Sequence, residues 1–138
     1  MSDVSAPSRP TITLKLATSL DGRIALSNGQ SKWITGEAAR AEVHRLRASH
    51  DAVIVGSETV LADDPELTAR IDPMPEKQPL RVVADSRGRV PASAKLFSTL
   101  EMGPVAIATL ETMDLERWPS TKGLQFWMLP AGEGSSSV

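Results

Sequence analysis

"DAVIVGSETVLADDPELTAR", residues 51–70, decides the reading of the chain. The apolar run at 52–55 is short and does not alternate, which suits a parallel strand buried on both faces. It breaks at Gly56, where the backbone can turn tightly. "SETVLAD" (57–63) then supplies two helical turns, beginning at Ser57 or Glu58 and stopped near Pro65. A strand that feeds a helix through a polar turn is the unit of an α/β sheet. Such sheets bind ligands outside the carboxyl ends of their strands. The free N–H groups of the helix start can face an anion. Asp63 and Asp64 read either as solvated helix-end acids or as acceptors for a ribose hydroxyl or an amine. Neighbouring helix residues do not face each other, so the pair makes a poor metal site.

The flanking sequence repeats the pattern. "TITLKLA" (11–17) alternates, with Ile12, Leu14 and Leu16 on one face, and predicts a strand. Turn clusters follow at Asp21-Gly22 and at 27–31. "WITGEAARAEVHRLRASH" predicts a helix with Thr35 as N-cap and Glu37 in the first turn. Ala39, Val43 and Leu46 mark its core face, and Arg40, His44 and Arg47 share a neighbouring one. Beyond the opening stretch, 72–79 is a Pro-rich surface loop. "LRVVADS" (80–86), "PVAIATL" (104–110) and "LQFWMLP" (124–130) are further strands, and "ETMDLERW" is a short helix. The sum is an α/β domain with a mostly parallel sheet and flanking helices. Residues 18–33, 56–70 and 85–89 are then the places for a ligand.

Composition removes several function classes. The 138 residues are 41% hydrophobic and 23% charged, enough for one core. Net charge is −2, with no basic stripe for nucleic acid. There is no cysteine, hence no disulfide, thiolate metal site or cysteine nucleophile. No apolar run approaches a membrane span, and "MSDVSAPSRP" lacks a signal-peptide core, so a cytoplasmic protein is expected. Walker, G-x-G-x-x-G and G-x-S-x-G motifs are absent. His44 and His50 lack metal-site spacing and read as helix-surface residues; no metal is expected.

Individual residues admit two readings each. Lys15 is an ammonium in a cleft or a lysine snorkelling from a sheet edge. Trp33 covers a ligand or anchors the core near a helix cap. Arg47 suits the negative end of its helix, yet Arg47 and Arg70 are also fork-shaped donors suited to a phosphate.

The order of segments is more specific than any of them. "LKLATSLDGRIA", "GQSKWITG", "VHRLRASHDAVIVGSETVLADDPELTAR" and "PLRVVADS" together resemble the reductase domain of the bifunctional riboflavin biosynthesis deaminase/reductase. The resemblance is strong over about residues 10–90 and looser to the end. It implies a dihydrofolate-reductase-like fold, NADPH as hydride donor, and a phosphoribosylaminopyrimidine substrate reduced at C1′ to a ribityl chain. By matched position it implies that Ala17, Trp33, Thr59, Asp63 and Ser86 contact the cofactor. Ser31, Arg47, Leu67 and Arg70 would contact substrate, and Lys15 would take a polar catalytic or orienting role. It also implies a homodimer. The family's later Glu-Gly-Gly loop has no counterpart, so residues 11–138 are expected to form the N-terminal portion of one reductase domain behind a tail at 1–10, with little activity alone. The zinc deaminase pattern is absent too. Another reductase of the same superfamily, or a non-catalytic nucleotide-binding remnant, is the alternative.

Overall fold

A computed structural model describes residues 9–16 and 36–132. The chain divides into two compact units, Met1–Thr35 and Gly36–Val138. In the first, the expected strand at 11–17 is not formed over its described part. Residues 11–16 have no regular secondary structure and are exposed, including Ile12, Leu14 and Leu16. Alternation prepares a chain for a sheet, but a strand exists only by pairing.

The second unit opens with α1 (Glu37–Ser49). Its N-cap is Gly36, not Thr35, and no side chain caps it. Glu37 in the first turn and Arg47 in the last still complement the helix dipole. The expected core face is not buried: Ala39 is exposed, and Val43 and Leu46 are only half-buried. The apolar stripe is present, but no described element is packed over it closely enough to close it.

Four strands follow, β1 (Ala52–Gly56), β2 (Leu80–Ala84), β3 (Val105–Leu110) and β4 (Leu124–Leu129). They lie in chain order, and every pairing is parallel. Between them come α2 (Ser57–Asp63), α3 (Lys95–Ser98) and a single 3-10 turn at Leu115–Arg117. Parallel strands joined in sequence by right-handed crossovers place every crossover on the same face. The core agrees. Val55, Val83, Val105, Ile107, Leu124 and Phe126 point to one face, where Val60, Val90, Leu96, Phe97 and Trp118 cover them. Trp118 closes this layer, its indole N–H donating to Val90 O at 2.9 Å and its ring 5.7 Å from Phe126.

The other face carries Ile54, Val82, Ala106 and Trp127. Val82 and Ala106 are buried, whereas Ile54 is 69% exposed. The expectation that 52–55 is buried on both faces is therefore corrected. In the four-stranded sheet β1 is an edge, and its outward residues lack a full cover. The loop at 72–79 is also not wholly on the surface, since Gln78 and Pro79 are buried. No helix among the described residues is long and apolar enough to cross a membrane.

Candidate functional site

All four strands run the same way, so their carboxyl ends form one edge. β1 ends at Gly56, which lies beside Ala84 at the end of β2. The elements carrying Thr59, Asp63 and Ser86 therefore leave from adjacent strands. α2 starts directly at Ser57, and Thr59 and Asp63 on it are half-buried. Its start is not a good anion site: the helix has seven residues, and its own Glu58 occupies the first turn. After β2 the chain turns sharply around Asp85, which is 1% exposed. The Asp85 carboxylate accepts the backbone N–H groups of Arg89 (2.8 Å) and Val90 (2.9 Å). Gly88 in the turn has φ +66, and a Cβ there would lie 2.2 Å from the Arg117 guanidinium, which donates to Gly88 O. The positive φ is what favours glycine here; the Arg117 and Met113 side chains are flexible at the ends that a Cβ would meet. Ser86 is half-buried in this turn, and an ion pair from Arg89 to Glu58 (2.6 Å) ties the turn to α2.

The segment after α2 is held in an unusual way. Residues 64–70 form no helix or strand, yet Leu67, Thr68 and Ala69 are buried. Their backbone groups cannot rely on water and need partners. Those partners are side chains from distant parts of the chain. In the opposite sense, the segment's own Asp64, in the left-handed conformation that ends α2, accepts Lys95 N–H through its carboxylate and so caps α3 (2.9 Å). Glu66 O accepts from the Arg81 guanidinium (2.9 Å). Thr68 O accepts from Arg47 Nη1 (3.1 Å). Gln78 pairs with both groups of Ala69, accepting its N–H and donating to its O, each at 2.8 Å. Arg70 N–H donates to His44 Nδ1 (3.1 Å).

Leu67 sits at φ 62. For a side chain with Cβ this left-handed geometry costs about 1–2 kcal/mol. Burial of its side chain, 3% exposed, offsets that cost. What Leu67 can offer a ligand is thus its backbone.

Arg81 is the deepest of these anchors, with 0% exposure. It reaches Glu66 O, Leu96 O, Thr99 O, Thr99 Oγ1 and Gly103 O. Burial lowers its basicity, while Glu66 and Glu101 act the other way. A guanidinium spreads five N–H donors over a planar fork and so reaches carbonyls on several sides, whereas an ammonium offers three from a single point. Nε is buried without a hydrogen-bond partner.

The segment brings Arg47 and Arg70 together. Burial, and then the like charge of Arg70, disfavour the charged form of Arg47. Among the described residues no carboxylate pairs with Arg47. Arg70 meets Glu66 in an ion pair open to solvent and Thr68 Oγ1 at 3.3 Å. Both arginines act on His44. Burial first, then Arg47 and Arg70, hold its pKa below the ordinary histidine value, with the Thr68 carbonyl opposing.

Of the residues singled out in the sequence, Arg47, Leu67 and Arg70 converge on this segment, and Thr59, Asp63 and Ser86 belong to the strand-end edge. Asp64, paired with Asp63 in the sequence reading, is engaged in capping α3. Lys15 is exposed in the first unit. Ala17, Ser31, Trp33 and the Asp21-Gly22 turn lie outside the described residues. Sequence reasoning missed Gln78, Arg81 and Asp85, and assigned His44 to the helix surface. The spacing of His44 and Arg47 on one helix face, and an arginine on an apolar strand, were the available signals. Among the described residues no three metal-ligating side chains cluster.

Comparison with known proteins meets this geometry. The family model described as the RibD C-terminal domain matches residues 10–129. The riboflavin biosynthesis protein RibD of Haemophilus influenzae is 44% identical over 121 residues, covering 80% of this chain and 32% of that protein. RibD of Mycobacterium tuberculosis is 47% identical over 110 residues, 78% of this chain and 32% of its own length. A solved Thermotoga maritima deaminase/5-amino-6-(5-phosphoribosylamino)uracil reductase superposes with TM-score 0.70 at 32% identity, covering 88% of this chain and 33% of that one. Acinetobacter baumannii RibD gives 0.67 at 38% identity, covering 84% and 32%. The chain thus spans about a third of the length of these relatives. The chain belongs to the RibD C-terminal domain family, with that family's dihydrofolate-reductase-like α/β fold.

Proposed function

We propose that the chain serves an NADPH-dependent reductase of riboflavin biosynthesis, which converts the ribosyl group of 5-amino-6-(5-phosphoribosylamino)uracil to the ribityl form. The observation that carries this reading is the arginine pair. Arg47, partly buried and without a carboxylate among the described residues, stands beside Arg70 on a segment whose backbone is fixed from outside. Two guanidinium forks suit the oxygens of a sugar phosphate. The exposed Glu66–Arg70 pair is worth about 0–1 kcal/mol, so a phosphate displaces it at small cost.

The other half of the site is the strand-end edge. Thr59 and Ser86 supply hydroxyls, and Asp63 a carboxylate, a set that fits the ribose and phosphate groups of NADPH. When bound, the nicotinamide supplies the hydride delivered to C1′ of the opened sugar. The residues of this chain orient: gripping the phosphate at one end of the sugar presents C1′ at the other. By matched position Ala17 and Trp33 join the cofactor side, Ser31 the substrate side, and Lys15 takes an orienting role. The same reading makes the protein a cytoplasmic homodimer with no metal.

The test is NADPH oxidation with the aminouracil substrate, in this chain and in one extended through the later Glu-Gly-Gly loop of the family, comparing wild type with Arg47→Ala and Arg70→Ala. Each loses charge-assisted bonds to phosphate, and KM rises roughly 10- to 100-fold with kcat changed far less. Unchanged KM in both variants would rule out phosphate recognition here. NADPH binding by calorimetry without turnover in the extended protein would mark a nucleotide-binding protein instead.

A further inference from the structure

His44 is a titratable side chain on which both arginines of the proposed phosphate site act. It lies on α1 one helical turn before Arg47, so the two share a face. Each reaches the same extended segment. Arg47 Nη1 donates to Thr68 O at 3.1 Å, and His44 Nδ1 accepts Arg70 N–H at 3.1 Å. Thr68 and Arg70 are two residues apart, so the helix face clamps the segment at two successive points.

We infer that His44 is a positioning residue: by accepting the Arg70 N–H it sets Arg70 against Arg47, and only the uncharged imidazole can do so. This rests on the phosphate-binding reading above. The accepted bond requires a lone pair on Nδ1, so the ring proton resides on Nε2. A second proton would set an N–H against an N–H, and the clamp would open at Arg70. The charged groups acting on His44 are Arg47 from its own helix and Arg70 from the packed segment; Glu66 is tied to Arg70. Burial first, then both arginines, resist protonation of the ring, outweighing the Thr68 carbonyl that favours it, and this keeps the clamp closed at neutral pH.

The sign of the effect separates positioning from charge. A histidine that merely added charge would strengthen phosphate binding as it gained a proton. A histidine that positions Arg70 weakens it. Ala69 remains held by Gln78 when the clamp opens, so the loss is partial.

The probe is ribose 5-phosphate, titrated calorimetrically against the folded protein. At about pH 7.5, His44→Ala binds roughly three- to tenfold more weakly, the worth of one hydrogen bond. His44→Asn, whose Oδ1 can accept near the Nδ1 position at any pH, restores binding. Between about pH 7.5 and 5.5, wild type loses more affinity than His44→Asn, whose loss reports only the second ionisation of the ligand. The inference is overturned if His44→Ala binds like wild type, if His44→Asn is as weak as His44→Ala, or if wild type and His44→Asn share one pH profile. Arg47→Ala and Arg70→Ala belong in the same series. If these bind normally, phosphate recognition itself fails. If they bind weakly while His44→Ala does not, only the role of His44 fails. Nitrogen NMR of the His44 ring checks the clamp without ligand: the Nε2–H tautomer is expected, and an Nδ1–H ring would overturn the contact.

Discussion

Replacing Gln78 by alanine strikes the segment at its most buried point. Ala69 is fully buried and Gln78 is 6% exposed, and the amide meets both backbone groups of Ala69 at 2.8 Å. After truncation a donor and an acceptor stay buried without partners, at about 1–3 kcal/mol each. Partial entry of water into the vacated space recovers some of this, leaving a destabilisation of about 2–4 kcal/mol. With a urea m-value of roughly 1–3 kcal/mol per M, the midpoint falls by about 1–3 M. Gln78→Glu refines the test. The introduced carboxylate still accepts Ala69 N–H but turns lone pairs toward Ala69 O. Protonation restores the donor, so the neutral acid is favoured in the fold and the deficit of this variant shrinks as pH falls. Urea unfolding of both variants, at neutral and acidic pH, measures the effect. A loss below about 0.5 kcal/mol for Gln78→Ala, or a pH-independent deficit for Gln78→Glu, would refute the claim that side chains hold this backbone.

Arg81→Leu strands several buried carbonyls and is expected to cost about 3–5 kcal/mol, much of a small domain's stability, with Arg81→Lys recovering little of it; thermal unfolding reports both. Trp118→Phe keeps most of the ring packing but leaves Val90 O unpaired, so a loss of about 1–3 kcal/mol is expected by denaturant titration, against roughly 3–5 for Trp118→Ala. His44 has a depressed pKa in the folded state, so the unfolded chain binds the proton more readily. Stability therefore rises with pH through the window below about pH 6.5 and is lost as pH falls. His44→Asn removes that component of the slope in unfolding curves measured across this range.

The scaffold was legible where composition alone decides. The runs at 52–55, 80–86, 104–110 and 124–130 each contain a strand of the sheet, and "SETVLAD" is the helix between the first two. The failures share a cause: a pattern says what a segment is suited to, not whether a partner is there. Residues 11–16 alternate yet form no strand, and α1 has an apolar stripe that is not closed over. In the site, Arg47 and Arg70 stood out because a guanidinium fork is a recognisable phosphate donor. Gln78, Arg81 and His44 did not, because each acts on backbone groups 9 to 26 residues away in sequence. No local spacing encodes such a contact. Leu67 was visible only through the family resemblance; its left-handed backbone and buried side chain follow from contacts that no local pattern shows.

The central claim is that a segment held by remote side chains presents Arg47 and Arg70 jointly to a sugar phosphate. The most direct measurement is the ratio of affinities for ribose 5-phosphate and ribose, by calorimetry, in wild type, the two single alanine variants and the double variant. The account predicts strong preference for the phosphorylated sugar in wild type, a large loss in either single variant, and a double variant that loses less than the sum, since one phosphate is shared. Equal preference in all four proteins would contradict it.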